Sequence, residues 1–148
     1  MANIANPEYI PASDSDVVII RVSVTGNAPC DQVVFQEFTL NKISAPIVEL
    51  LPNSDTVCSS EPSYNLAPIT NVTNTTASTT YLWTSSSSSA TFSNPTNPTS
   101  TYTFTAADVA AGSVTLTLTA ISDPTCALTD FDEIVVTILD EPTVTITN

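Results

Sequence analysis

The sequence predicts an all-β protein built as an antiparallel β-sandwich, and three observations support this. Hydrophobic residues make up 42% of the 148 residues, which is enough to form a core. The apolar residues are mostly Val, Ile and Leu and the polar ones mostly Thr, Ser and Asn, and β-branched side chains favour strands over helices. Eleven prolines against two glycines indicate many turns.

Alternation of apolar and polar residues locates the strands. The clearest is Ser113–Ile121, where Val, Leu and Ala alternate with Thr. Residues 106–112 have the composition of one helical turn that ends at a glycine, and the two prolines of residues 93–100 predict a loop. The other predicted strands cover residues 47–51, 64–69, 80–85, 90–92, 101–105 and 131–139.

The sequence repeats at an offset of 96 residues. The segment CDQVVFQEFTLNKISAP, which begins at Cys30, aligns without a gap with CALTDFDEIVVTILDEP, which begins at Cys126. Phenylalanine, glutamate and proline recur at the same distances from each cysteine. Upstream, with one short gap, Tyr9 aligns with Tyr102. These matches predict a structural repeat.

The repeat defines the domain organisation. We expect residues 1–45 to be the C-terminal half of a preceding repeat, residues 46–140 to be a complete repeat, and residues 141–148 to begin the next one. A unit of this length is the usual size of an immunoglobulin-like sandwich. The half-repeat has no facing sheet of its own, so an apolar surface is expected there that other strands must cover.

Charge and composition exclude several functions. Two basic residues against fifteen acidic ones give a net charge of -13, so binding to nucleic acid or to an anionic membrane surface is not expected. No apolar run is long enough to span a membrane, and the first residues do not resemble a signal peptide, so an export signal would lie elsewhere. The absence of histidine excludes Ser-His-Asp and Cys-His catalysis.

Adjacent carboxylates are the remaining candidates for catalysis. Two carboxylates can perform acid–base chemistry, but the sequence indicates no pocket around any pair, so no enzymatic activity is predicted. The pairs are Asp14 with Asp16, Asp130 with Asp132, and Asp140 with Glu141.

The three cysteines follow the repeat. Cys58 and Cys126 fall within the complete repeat, near its first strand and in its last connection, and we predict a disulfide between them. Cys30 corresponds to Cys126, so its partner would precede residue 1 and Cys30 is expected to be unpaired. The alternative is three unpaired thiols. Sparse cysteines and scarce lysine favour an extracellular location.

Trp83 and the acidic residues near the repeat junction are the remaining candidate sites. Trp83 stands where an immunoglobulin-like domain keeps a buried tryptophan, so it is the predicted core anchor. Asp140, Glu141 and Asp55 are candidate calcium ligands, since carboxylate oxygens at a repeat junction can bind Ca²⁺. The alternative is solvated surface charge, which is favoured because the residues before Pro46 include no acid.

The complete repeat resembles a known family. Its YLWT, TFSNPTNPTSTYTFTAADVAAGSVTLTLTA and EIVVTI segments, with Cys58 upstream, are similar to repeats of giant Bacteroidota surface proteins, including gliding-motility adhesins of the SprB type and other type IX secretion cargo. The resemblance implies immunoglobulin- or PKD-like sandwiches strung into a cell-surface filament. This chain has serines at 85–89 where the family often has glycines.

Together these features predict a structural and adhesive repeat module of a large secreted filament protein at the cell surface. The predicted partners are neighbouring repeats of the same chain and a glycan or surface receptor, and no cofactor other than Ca²⁺ is expected. The alternative function is a carbohydrate-binding or accessory module of a secreted enzyme. Because such a module displays exposed aromatic rings, an exposed Trp83 would favour it and a buried Trp83 would not.

Overall fold

The computed structural model describes residues 8–10, 17–29 and 31–144 of the chain. The chain divides into two compact units, residues 1–43 and 44–148. Among the described residues, the first unit contains one β-hairpin, and the second contains nine strands and one short helix.

The hairpin of the first unit joins β1 (Val17–Thr25) to β2 (Val33–Asn41). Its antiparallel ladder pairs each of the nine residues of β1 with a residue of β2. A hydrogen bond from the backbone N–H of Gly26 to the carbonyl oxygen of Gln32, 3.0 Å long, closes the turn. This hairpin is the whole of the regular structure described in the first unit.

The second unit is built from strands β3 (Ile47–Leu50), β4 (Ser54–Cys58), β5 (Ser63–Asn65), β6 (Thr70–Thr73), β7 (Thr80–Ser85), β8 (Thr91–Phe92), β9 (Thr101–Thr103), β10 (Ser113–Ile121) and β11 (Thr129–Leu139). One layer is a four-stranded sheet in the order β4-β11-β10-β7. The pair β3-β6 and the three strands β5-β9-β8 form the opposite layer. Neighbouring strands are antiparallel except β4, which runs parallel to β11.

The core lies between the two layers of the second unit. Because side chains alternate along a strand, β10 turns its Val, Leu and Ala side chains inward and its threonines outward. The fold class predicted from the sequence, an antiparallel all-β sandwich, is confirmed. The buried apolar residues are Val48, Leu50, Tyr64, Leu66, Ile69, Trp83, Tyr102, Val114, Leu116, Leu118, Ala120, Ile134, Val136 and Ile138.

The hairpin that ends the second unit has the same register as the hairpin of the first. Strands β10 and β11 also form nine pairs, and each pair lies 96 residues beyond the corresponding pair of β1 and β2. The bond that closes the turn recurs at the same offset, from the N–H of Ser122 to the carbonyl oxygen of Leu128, 2.8 Å long. The two stretches that match in sequence therefore have the same backbone pairing.

Helix α1 (Ala106–Ala111) connects β9 to β10, where one helical turn was predicted. It begins at Thr105, whose hydroxyl accepts the N–H of Asp108, while the Asp108 carboxylate accepts the N–H of Thr105. It ends at Gly112, whose φ of 73° is left-handed. Glycine adopts this conformation without the steric penalty of a side chain.

The strands differ most from the sequence prediction at β4, β5 and β6. Residues 64–69 were predicted as one strand, but β5 and β6 are separate and belong to different sheets. Pro68 lies between them and has no N–H to donate to a ladder. Strand β4 was not predicted, because its ladder depends on β11, which is remote in sequence.

Candidate functional site

Trp83 lies in the core of the second unit, and 2% of its surface is exposed. Its indole Nε1 donates to the carbonyl oxygens of Asn97 (3.1 Å) and Pro98 (3.3 Å). The ring stacks on Phe92 at a centroid distance of 6.1 Å. Truncating a ring buried in this way costs about 3–5 kcal/mol. Trp83 therefore offers no exposed ring for a sugar to stack on.

A buried carboxylate joins helix α1 to the sheets. Asp108 is 3% exposed, and its Oδ2 accepts hydrogen bonds of 2.8 Å from the Tyr102 hydroxyl, the Thr105 hydroxyl and the Thr105 N–H. The Tyr102 hydroxyl also lies 3.3 Å from Ser85 Oγ on β7. Because each group has a partner, the cluster ties the helix to the core.

These contacts shift two pKa values in opposite directions. Burial by itself raises the pKa of Asp108, but hydrogen bonds from the Thr105 backbone N–H and from the hydroxyls of Thr105 and Tyr102 outweigh it. The pKa of Asp108 therefore lies below its ordinary value. Burial, together with the negative Asp108, raises the pKa of Tyr102. The ionised carboxylate and the neutral phenol therefore persist together at neutral pH, as a structural pair.

Asp130 and Asp132 hold the opening strand of the sandwich. The Oδ2 atom of Asp130 accepts the N–H of Val48, and the Oδ2 atom of Asp132 accepts the N–H of Leu50, both at 2.8 Å. Both N–H groups belong to β3, and both carboxylates belong to β11 in the opposite layer. This pair was a catalytic candidate from sequence, but its oxygens are used to join the two layers.

The predicted disulfide between Cys58 and Cys126 is not formed, and both thiols are free and exposed. Cys58 lies opposite Leu139, at the end of β11, whereas Cys126 precedes Thr129, at the start of the same strand. The length of β11 separates them by roughly 30 Å, while a disulfide requires Cα atoms about 4.4–6.8 Å apart. Cys30 lies outside the described residues.

The candidate calcium ligands do not come together. Asp55 pairs with Val136 in the β4–β11 ladder, whereas Asp140 and Glu141 follow the end of β11. Asp55 is also engaged, since its carboxylate accepts the Tyr64 hydroxyl and the N–H of Thr56, both at 2.7 Å. Within residues 8–10, 17–29 and 31–144, no three acidic, cysteine or histidine side chains form a metal-binding group.

Of the other two carboxylate pairs considered for catalysis, Asp140 and Glu141 follow β11 and are both exposed. Asp14 and Asp16 lie outside the described residues. Burial and the bond to Asp55 raise the pKa of the Tyr64 hydroxyl well above its ordinary range, so this phenol stays neutral.

The outward side of the four-stranded sheet is an exposed surface of the second unit. We call it the outer sheet face, and it includes Leu82 on β7, Thr119 on β10 and Phe131 on β11. These three residues lie in one row, because Thr119 is opposite both Leu82 and Phe131. Leu82 is 47% exposed and Phe131 is 63% exposed. Thr119 lies between the two exposed apolar side chains, so the row is a candidate contact surface.

Phe131 was used in the sequence only as a marker of the repeat, and Phe35 is its counterpart in the first unit. Phe35 is also exposed, and the Arg21 guanidinium lies 4.4 Å from its ring centroid. Sequence reasoning missed this surface because the residue type alone does not show whether a phenylalanine in a strand points inward or outward. The signal that was available is its place in the alternation, on the side opposite the buried residues of β11.

The fold and these sites define a class of protein: an antiparallel β-sandwich in which the buried polar groups serve the structure and the exposed sheet face is available for contact. No helix among the described residues has the length and apolar character needed to cross a membrane. No protein-family model matches the sequence. A search of curated proteins finds no match either.

Several solved structures are similar to this chain. Repeats EC3–6 of protocadherin gammaB7, from a cis-dimer structure, match with 17% identity and a TM-score of 0.48 over 84% of this chain, which spans 33% of that one. Human mucin-like protocadherin EC1–2 matches with 7% identity and a TM-score of 0.47, over 83% of this chain and 69% of that one. Protocadherin gamma C5 EC1–3 matches with 16% identity and a TM-score of 0.40, over 84% of this chain and 43% of that one.

Proposed function

We propose that this chain is part of an extracellular array of tandem β-sandwich repeats that acts as an adhesive and mechanical spacer. The repeats are residues 1–45, the back half of one copy, residues 46–140, a complete copy, and residues 141–148, the start of the next. The observation that carries the proposal is the identical nine-pair register of the two hairpins, 96 residues apart. Modules that recur in this way are typical of repeat arrays.

The path of the chain through the second unit suits modules joined in series. Val48 of β3 contacts Asp130 near the start of β11, and Leu50 contacts Asp132 further along. The first and last strands of the sandwich therefore run in the same direction. The chain enters the sandwich at one end and leaves it at the other, as a spacer requires.

The adhesive role rests on the outer sheet face. Its exposed row around Phe131 has a counterpart at Phe35, so successive copies would present the same aromatic group along the array. The net charge of -13 favours solubility outside the cell. Within this class, the resemblance of the sequence to SprB-type repeats favours a gliding-motility adhesin exported by type IX secretion, with neighbouring repeats as its first partners.

The alternative, a carbohydrate-binding or accessory module of a secreted enzyme, has less support. It requires an aromatic platform, and Trp83 and Tyr102 are both buried. No catalytic role is proposed.

The test is a bead adhesion assay. Beads coated with the 148-residue chain through a C-terminal tag are flowed over glass, polystyrene and a surface coated with the same chain. We expect retention well above that of albumin-coated beads, and expect L82S/F131S to reduce it because the apolar row is removed. T84S, on the same face, is the matched control. Retention equal to that of albumin-coated beads on every surface would rule out the adhesive role.

A further inference from the structure

The hairpin of the first unit has one strongly apolar side. Side chains of cross-strand partners lie on the same side of a ladder, and alternate residues lie on the other. We call one of these sides the inner hairpin face. Its members are Val18, Ile20, Val22, Val24, Val34, Gln36, Phe38 and Leu40, which pair with one another across the ladder.

This face is exposed. Val34 is 71% exposed and Phe38 is 57% exposed. A shallow depression of about 260 Å³ lies around Val22, Val24 and Val34. An apolar sheet face left open in this way marks a contact surface.

The second unit contains the same face with its cover in place. The counterparts of the inner hairpin face at an offset of 96 residues include Val114, Leu116, Leu118, Ala120, Ile134 and Val136, and all six are buried. Strand β3 packs on β10 and β11, and the core cluster adds side chains that precede α1, such as Leu66 and Tyr102. In this protein, a hairpin with this register is therefore the back half of a sandwich core.

The sequence just ahead of β1 indicates where the cover comes from. Tyr9 aligns with Tyr102, which lies on β9, the last strand before α1. In the second unit Tyr102 is fully buried, whereas Tyr9 is 49% exposed. Resting on the tandem arrangement proposed above, we infer that the inner hairpin face binds a front-half segment of the type Ile47 to Thr103, joined to the hairpin through Tyr9.

The differences between the two faces define what this front half must be like. Val34 and Gln36 stand where the second unit has Asp130 and Asp132. The opening strand of the partner therefore lacks the two carboxylate acceptors that hold β3, and Val34 offers it an apolar contact instead. The partner is a related copy with its own contacts, not a duplicate of the second unit.

The side chains of the hairpin also differ in size from those of the second unit. Val24 and Phe38 are larger than their counterparts Ala120 and Ile134. Because protein cores are close-packed, the partner must carry smaller side chains opposite these two positions.

The experiment completes the first unit in cis. A second copy of residues 46–100 is joined ahead of Glu8, in place of residues 1–7, so that Tyr9 takes the position of Tyr102. A second form of this extended chain also carries V24A/V34D/Q36D/F38I, which gives these four positions of the inner hairpin face the residues of β10 and β11. Amide hydrogen exchange of β1 and β2 is compared with that of the 148-residue chain.

We expect the substituted extended chain to exchange its hairpin amides about 100-fold more slowly than the 148-residue chain, because its inner face is covered. The unsubstituted extended chain should be protected less, because its larger side chains and Val34 fit the added segment poorly. V22S should abolish the protection, whereas V17S, on the opposite side of β1, should not. These two valines have similar exposure, 54% and 57%.

Two results would overturn the inference. One is hairpin amides that remain unprotected in the substituted extended chain while the amides of β10 and β11 stay protected. The other is protection of the hairpin in the 148-residue chain that rises with protein concentration, which would make a second copy the cover. Neither result depends on the bead adhesion assay, so the adhesive role is judged separately.

Discussion

Asp108 is a carboxylate that the core of the second unit keeps in its charged form. Three groups donate hydrogen bonds to it: the Thr105 backbone N–H and the hydroxyls of Thr105 and Tyr102. Together these three hydrogen bonds hold the pKa of Asp108 below its ordinary value. The sequence indicated Asp108 only as part of a helical turn. An aspartate that caps a helix has the same local sequence pattern whether or not it also joins a buried hydrogen-bond network.

Replacing Asp108 with asparagine should destabilise the protein by about 2–3 kcal/mol at pH 7, because charge-assisted hydrogen bonds are lost in a buried site. A folded-state pKa below the unfolded value means that the unfolded chain binds the proton first. The stabilisation is therefore present above about pH 4, the unfolded pKa of aspartate, and is lost as the pH falls through the folded pKa. Urea unfolding between pH 7 and pH 2.5 measures this.

D108N should show a shallower loss of stability in acid than the unsubstituted chain. E141Q, at an exposed position after β11, serves as the control and should follow the unsubstituted chain at every pH. An acid profile of D108N that parallels the unsubstituted chain would show that Asp108 is not the source of the dependence.

At the scale of elements, the strands that alternate most regularly were the most predictable. Ser113–Ile121 was located to the residue, because threonine alternates with apolar residues through its length. The tryptophan strand Thr80–Ser85 was also located to the residue. Strand β4 could not be predicted from the sequence, because it has only five residues and its partner strand lies 81 residues further along the chain. Local patterns do not reveal such a non-local ladder.

The hydrogen bonds between β3 and the two aspartates of β11 were also not predicted, although the sequence contains a signal for them. Asp130 and Asp132 occupy the positions of β11 whose alternation places them on the inner side of the strand. A carboxylate directed inward needs a hydrogen-bond donor, and backbone N–H groups of a facing strand supply it. Paired acids within an alternating strand are thus a sign of a bond between layers as well as of catalysis.

Removing both acceptors with D130A/D132A should destabilise the second unit by about 1–3 kcal/mol for each position, because the N–H groups of Val48 and Leu50 lose their partners. Hydrogen exchange of these two amides should become much faster. E133A, on the same strand but on the outer sheet face, is the matched control and should change the free energy of unfolding by less than about 0.5 kcal/mol. Unchanged exchange at Val48 and Leu50 would contradict the assigned bonds.

At the scale of the whole molecule, the repeat could be read from the sequence, but the position of each cysteine in space could not. An ungapped alignment preserves strand register, and the two hairpins show this. Whether two loops meet depends on the end of the sandwich at which each lies. Cys58 and Cys126 lie at opposite ends because the strands that carry them there, β4 and β11, run parallel.

The thiols of Cys58 and Cys126 provide a direct test of where the structure places these two residues. With C30S used to leave two cysteines, native protein purified without reductant should take up two equivalents of iodoacetamide, because both thiols are free and exposed. Intact mass spectrometry counts the adducts, and C30S/C58S/C126S gives the background. A chain that takes up none until it is reduced would restore the disulfide and would contradict the placement of the two residues.

The parallel pairing of β4 with β11 determines how the second unit responds when it is pulled from its two ends. Force on the N-terminal end passes through β3 and draws β4 backward along its axis, while the C-terminal end draws β11 forward. The ladder from Ser54 to Cys58 is then loaded in shear. Its hydrogen bonds must break together instead of one after another, so this ladder of five residue pairs resists extension of the sandwich.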